Sequence, residues 1–221
     1  MLKKTFAVLG TLALALTLAS CGGKSDEQLM EEGWVKNPTE HGYVKNPEEN
    51  GYVKAPEALP AASKTDFTKE KSPINAQNLV NYLHRDDVVY IDLRDNQKGY
   101  QAGHLRGFES IEFFGLIYDS GTTGKQLFKQ DYSPRYKESA QLIKTLFPQD
   151  KAIFLNCTSG ARVVKMMDIL NSLNYDMTKV YNVGGWQDFQ KVNELKPYLV
   201  ANPFVEATVE YKFLDSLHPI A

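Results

Sequence analysis

The sequence predicts an α/β domain with a mainly parallel central sheet and helices on both faces, preceded by a signal segment and a flexible repeat tether. Three observations carry this. The short apolar runs VVYID (88–92), AIFLN (152–156) and KVYNV (179–183) read as buried strands. Between the second and third, Val163, Met166, Met167 and Leu170 recur at helical spacing. Ahead of all of them stand an uncharged N-terminal run and three polar nonapeptides that supply no core. Strands alternating with helices imply parallel pairing, because each crossover returns over a face of the sheet.

The chain opens MLKKTFAVLGTLALALTLASCGG, in which Lys3 and Lys4 precede an uncharged run over residues 5–19. A spanning helix needs roughly 20 apolar residues, so a shorter run ending in small residues reads as a signal segment, residues 1–20. Leu18-Ala19-Ser20-Cys21 resembles the lipobox of bacterial lipoproteins, which implies cleavage before Cys21 and lipidation of it. Several acyl chains would hold the protein stably to a membrane, each buried CH2 contributing about 0.8 kcal/mol. The expected location is therefore the extracytoplasmic face of the cell membrane or the outer membrane, with periplasmic exposure. Gly22 in place of aspartate after Cys21 favours the outer membrane where the cell has one.

Loss of residues 1–20 would remove Lys3 and Lys4, taking the 221-residue chain to 201 residues and its formal charge from −2 to −4. That balance excludes the basic footprint expected of a nucleic-acid binder. Of two cysteines, Cys21 is assigned to lipid, so Cys157 is the one remaining thiol and no internal disulfide is expected. A thiol facing an oxidising exterior is either buried or kept for chemistry.

Residues 21–71 are read as anchor and tether. GWVKNPTEH, GYVKNPEEN and GYVKAPEAL repeat over 33–59, each with one aromatic, one valine and one proline. Repeats that build a core normally run 20 residues or more. Nine residues of this composition predict coil, and a docking role toward a cell-envelope protein stays open.

The folded domain is expected over 72–200. Asn75 caps a predicted helix, Ile74 and Leu79 form a staple across its start, and Val80 and Leu83 extend the apolar face. Ser133-Pro134 predicts a second helix start, with Ala140, Ile143 and Phe147 on its inner side. The stretch GLIYDSGTTGKQLFKQDYSPRY (115–136), inside a long 111–151 span, predicts a loop that forms a lip over the ligand end of the sheet. Beyond the domain, 201–221 carries VEATVEYKF (205–213), whose period-two alternation predicts an extra strand.

Parallel sheets bind ligands outside the carboxyl ends of their strands. FLNCTSGAR (154–162) puts Cys157 there. Gly160 gives the turn its freedom, and the N–H groups of Thr158, Ser159, Gly160, Ala161 and Arg162 are expected to form an anion nest. The following helix brings its positive end to the same point, and Arg162 adds a full charge. All three favour negative charge on the sulfur, so Cys157 is a candidate nucleophile; the alternative is a packed structural thiol.

These residues resemble the rhodanese family of sulfurtransferases. IDLRDNQKGYQAGHLRG (91–107) is similar to the family's Asp-Val-Arg…Gly-His-Ile…Gly stretch, FLNCTSGAR to its active-site loop, and VYNVGGWQDF (180–189) to its closing strand. The resemblance implies a persulfide cycle with no cofactor: Cys157 takes sulfur from a small donor anion such as thiosulfate and passes it to a thiol or cyanide; the scattered His41, His84 and His218 suggest no metal site. Thr158 to Arg162 would hold the donor, Asp92 and Arg94 would brace neighbouring loops, and His104 would serve as a loop hydrogen-bonding residue. Thr158 stands where many members carry arginine, and Phe108, Ser110 and Glu112 depart from the usual residues that follow the Gly-His stretch. A catalytically idle binding module and a redox-sensing thiol are the competing readings. Cysteine phosphatases use Cys-x5-Arg; here the spacing is Cys-x4-Arg, a ring too small for phosphate.

Overall fold

The computed structural model describes residues 58–119, 133–201 and 216–220, together with 25, 27–28, 34–36, 48–49 and 52–54. The chain divides into two units, Met1–Ala55 and Pro56–Ala221. The signal segment, Cys21 and the strand expected at 205–213 lie outside the described residues.

In the first unit the repeats depart from the coil expected of a tether. Trp34–Lys36 (β1) of the first repeat pairs antiparallel with Tyr52–Lys54 (β3) of the third, with Val35 opposite Val53. Glu48–Glu49 (β2) takes the other side of β3. Aromatic and β-branched residues favour extended backbone. A ladder uses main-chain groups, so a unit too short for a core can still pair.

The second unit is built on a four-stranded parallel sheet. Its strands are Val88–Asp92 (β4), Glu109–Ser110 (β6), Ala152–Cys157 (β7) and Val180–Gly185 (β8), in the order β6-β4-β7-β8. A separate antiparallel pair joins Gly103–Leu105 (β5) to Leu199–Ala201 (β9). Alternate side chains serve opposite faces. Ile91, Ile153, Leu155 and Val180 pack with Ile143 and Phe147, at the helix Ser139–Leu146 (α1), and with Val163, Met166 and Leu170 of the helix Ala161–Ser172 (α2). Val88, Tyr90, Phe154, Tyr181 and Val183 pack the other way, against Leu79, Leu83, Leu195 and Phe189, the last from the short helix Trp186–Phe189 (α3). Each such fully buried side chain contributes about 1.5–3 kcal/mol.

Three local expectations are corrected. The helix capped by Asn75 is one turn followed by a 3-10 helix, Leu79–Tyr82. Asn75 and Asn78 spend their side-chain oxygens on nearby amides, which competes with helix propagation. The helix expected from Ser133-Pro134 begins at Ser139, because residues 133–135 bond instead to the chain at 117–119: Asp119 N to Ser133 O (2.9 Å) and Arg135 N to Ile117 O (3.0 Å). Of the expected lip, residues 120–132 lie outside the described residues; Ile117 and Tyr118 are buried in the core, while Asp119 and residues 133–135 are exposed. Packing also begins before residue 72. Ala62 and Phe67 are buried, Tyr181 Oη donates to Pro60 O (2.8 Å), and this segment covers the edge strand β8.

Candidate functional site

Cys157 ends β7 just past a register shift against β8 that begins at Leu155. Such a bulge re-aims a side chain. The Cys157 side chain belongs to the cluster shared with α2 and is only 1% exposed. The chain then turns through Thr158 and Ser159 to Gly160, whose φ of 90° lies in the left-handed region. A Cβ at Gly160 would also stand 3.2 Å from both Asn182 Oδ1 and Lys69 Cδ, so a side chain there would be crowded as well as strained.

That turn brings the Gly160 N–H onto the sulfur, at 3.2 Å from Cys157 Sγ. Helix α2 starts at the next residue, so its positive end lies at the same loop. Arg162 is half-buried, and its Nη2 donates to Thr158 Oγ1 at 2.8 Å. The guanidinium is thereby fixed over the loop by the residue that stands in the arginine position of many relatives. Ser159 is exposed and Thr158 half-buried. A reagent meets these residues before it meets the sulfur, which sits at the floor of the turn.

The loop is clamped from outside by residues that sequence reasoning did not single out. Asn182 Nδ2 donates to Gly160 O (3.1 Å) and to Phe67 O (2.9 Å), while its Oδ1 accepts from Gly184 N (3.2 Å). Gln187 N donates to Thr158 O at 3.1 Å. Gly185 passes so close that a Cβ there would lie 2.5 Å from Ser159 N and from Thr158 C. Lys69 Nζ pairs with Asp188 (2.7 Å), and Asp188 Oδ2 also accepts from Gly185 N (3.1 Å). The available signal was an asparagine inside the apolar run KVYNV and the Gly-Gly pair ending it.

Asp92 and Arg94 lie off the loop. Both are buried and pair through Arg94 Nη2 to Asp92 Oδ2 at 2.7 Å, with Arg94 Nε 3.0 Å from each carboxylate oxygen. Arg94 Nη2 also donates to Gly103 O (2.6 Å), and the guanidinium lies 5.3 Å from the Trp186 ring centroid. A Cβ at Gly103 would stand 2.6 Å from that ring. The pair thus ties β4, β5 and α3 together, one residue from the Gln187 amide that holds Thr158. His104 stacks on Tyr100 at 4.0 Å and its Nδ1–H donates to Tyr100 O at 3.1 Å. Burial lowers its pKa below the ordinary value, and the Tyr100 carbonyl opposes that in part.

Among the described residues no group of three or more His, Cys, Asp or Glu side chains is arranged to hold a metal, and no helix is long and apolar enough to cross a membrane. A cavity of about 240 Å³ beside the end of β8, lined in part by Lys69, Asn75, Gly184 and Asp188, includes no residue of the loop. What the loop offers chemically is one sulfur with an N–H directed at it, a helix N-terminus and an oriented guanidinium. That set suits negative charge on the sulfur and on an atom bound to it.

Comparison with curated proteins and with solved structures finds no match. The family model for the rhodanese-like domain matches residues 75–192, more than half of the chain, and covers β4 to α3 with the Cys157 loop between them. The chain belongs to the rhodanese-like domain family.

Proposed function

We propose that the protein is a lipid-anchored, extracytoplasmic sulfurtransferase that carries sulfane sulfur as a persulfide on Cys157. One observation carries the reading: the Gly160 N–H lies 3.2 Å from Cys157 Sγ in a six-residue loop that opens a helix. The Cys157 thiolate attacks the outer sulfur of a donor. A new S–S bond forms on the enzyme as the donor's S–S bond breaks, and sulfite leaves with the electron pair when the donor is thiosulfate. An acceptor thiolate or cyanide then attacks the terminal sulfur, takes it as persulfide or thiocyanate, and returns the Cys157 thiolate. Two half-reactions through one covalent intermediate give ping-pong kinetics. The loop amides balance charge on the terminal sulfur, and Arg162, held by Thr158, orients the donor. Neither step needs a general base, which agrees with a His104 ring engaged by Tyr100.

Anchoring rests on Leu18-Ala19-Ser20-Cys21. A second reading, an idle module that binds a cell-envelope partner, is favoured by the near-complete burial of Cys157. Sulfur transfer from thiosulfate and from cysteine persulfide to cyanide, followed by thiocyanate release, separates the two. Parallel-line initial-rate plots and complete loss in Cys157→Ser support transfer. Absence of transfer from every donor in a folded wild-type protein would favour the binding module, and aryl-phosphate hydrolysis that disappears in Cys157→Ser would overturn both.

A further inference from the structure

Lys69 lies ahead of the span matched to the family, residues 75–192, yet its side chain packs on the Cys157 loop. Lys69 Cδ stands 3.2 Å from the point that a Gly160 Cβ would take, beside Asn182 Oδ1 at 3.2 Å and Gly184 Cα at 3.6 Å. The flank where Gly160 lacks a side chain is thus filled by a lysine stem from a distant part of the sequence. The N–H of the same residue lies 3.2 Å from Cys157 Sγ. A glycine with an open flank has many backbone conformations within reach. The stem removes that freedom at the residue whose N–H meets the sulfur.

Both ends of the stem are fixed. At its head, Lys69 Nζ donates to the two Asp188 carboxylate oxygens (2.8 and 2.7 Å), and Asp188 Oδ2 accepts from Gly185 N (3.1 Å). At its base, a turn closes through Lys71 N to Thr68 O (3.1 Å) and Ser72 N to Lys69 O (3.3 Å). Asn182 Nδ2 ties that segment to the loop, holding Phe67 O (2.9 Å) and Gly160 O (3.1 Å) together. A free lysine would spread over its rotamers. The ion pair and the turn restrict this one to the face of Gly160.

We propose that Lys69 is a positioning residue for sulfur chemistry at Cys157: its stem backs Gly160 and keeps the Gly160 N–H on the sulfur, and its ammonium, paired with Asp188, keeps the stem in place. The consequence for turnover rests on the sulfurtransferase reading, whereas the hydrogen bond can be followed without it. Donor orientation falls to Arg162, held by Thr158. Loss of the Lys69 stem therefore slows the loading of sulfur and leaves donor affinity in place.

Three variants of the full chain test this, with the Gly160 amide followed in proton–nitrogen NMR spectra of the reduced protein and the loading of Cys157 followed in a single turnover with thiosulfate or cysteine persulfide. Lys69→Arg keeps stem and charge and should load within about twofold of the wild type; Lys69→Met keeps the stem alone and should fall between. Lys69→Ala should load about tenfold more slowly at saturating donor, as expected when a charged atom loses one hydrogen bond, with the half-saturating donor concentration within about twofold. Its Gly160 amide proton should move upfield and exchange faster with solvent. A general loss of stability would lower the urea midpoint without moving that resonance. An unchanged amide and loading rate in folded Lys69→Ala overturn the proposal, as does equal slowing in Lys69→Arg and Lys69→Ala. Where Lys69→Ala does not fold, Lys69→Arg no closer to the wild type than Lys69→Met overturns it. A wild type that loads sulfur from neither donor overturns the transferase reading instead, and the Gly160 resonance across the three variants then decides the role of Lys69.

Discussion

Gly185→Ala isolates the contact on which the geometry of the loop depends. Gly185 has φ −159° and ψ 174°, extended backbone that alanine adopts without strain, and the substitution by itself slightly restricts the unfolded chain. All of its effect must come from space. The added Cβ would lie 2.5 Å from Ser159 N and Thr158 C, and 2.6 Å from Thr158 O, against an ordinary contact of 3.4 Å or more. These are backbone atoms, so the loop must retreat by about 0.9 Å. Thr158 O would then lose its bond from Gln187 N, and the Gly160 N–H would drift from the sulfur. A displacement of about 1 Å at a reacting centre costs about 100-fold in rate, while overpacking of this kind costs roughly 1–3 kcal/mol of stability. Sulfur transfer to cyanide in Gly185→Ala, measured beside its urea midpoint, should fall about 100-fold in a protein that still folds. Wild-type turnover in a folded variant would refute the claim that this close approach sets the loop.

Three further outcomes follow from the same geometry. Asp92→Asn removes the counter-charge from a buried guanidinium and should lower unfolding stability on the order of 3–5 kcal/mol; an unchanged urea midpoint would contradict the bracing role. Because burial lowers the His104 pKa, its contribution to stability is present above about pH 6.5 and is lost as pH falls through the folded-state value. The drop in melting temperature between pH 7.5 and pH 5 should be smaller in His104→Gln, and an equal drop would count against it. Cys21→Ser should leave unprocessed or soluble protein; a variant as resistant to salt extraction from membranes as the wild type would end the lipoprotein reading.

The parts of the fold that were legible are those in which local pattern and tertiary need agree. VVYID and AIFLN are buried on both faces, so their runs are continuous, and the spacing from Val163 to Leu170 matches the side of α2 that is buried. The Cys157 loop was legible because a glycine with positive φ, small neighbours and an arginine are needed together at that turn. Residues 60–71 were misread as tether because their composition is polar and their stabilising contacts are distant: Asn182 Nδ2 reaches Phe67 O and Lys69 reaches Asp188. The Ser133-Pro134 helix start failed because a local signal lost to pairing with residues 117–119.

The central claim is that Cys157 carries the transferred sulfur, and intact mass reads it directly. Purified protein treated with cysteine persulfide or thiosulfate should gain the mass of one sulfur atom, peptide mapping should assign it to Cys157, and cyanide should remove it with release of thiocyanate. Cys157→Ser should fold and gain nothing. A wild-type protein whose mass stays unchanged across both donors, with Cys157 reduced and the fold intact, would contradict the account.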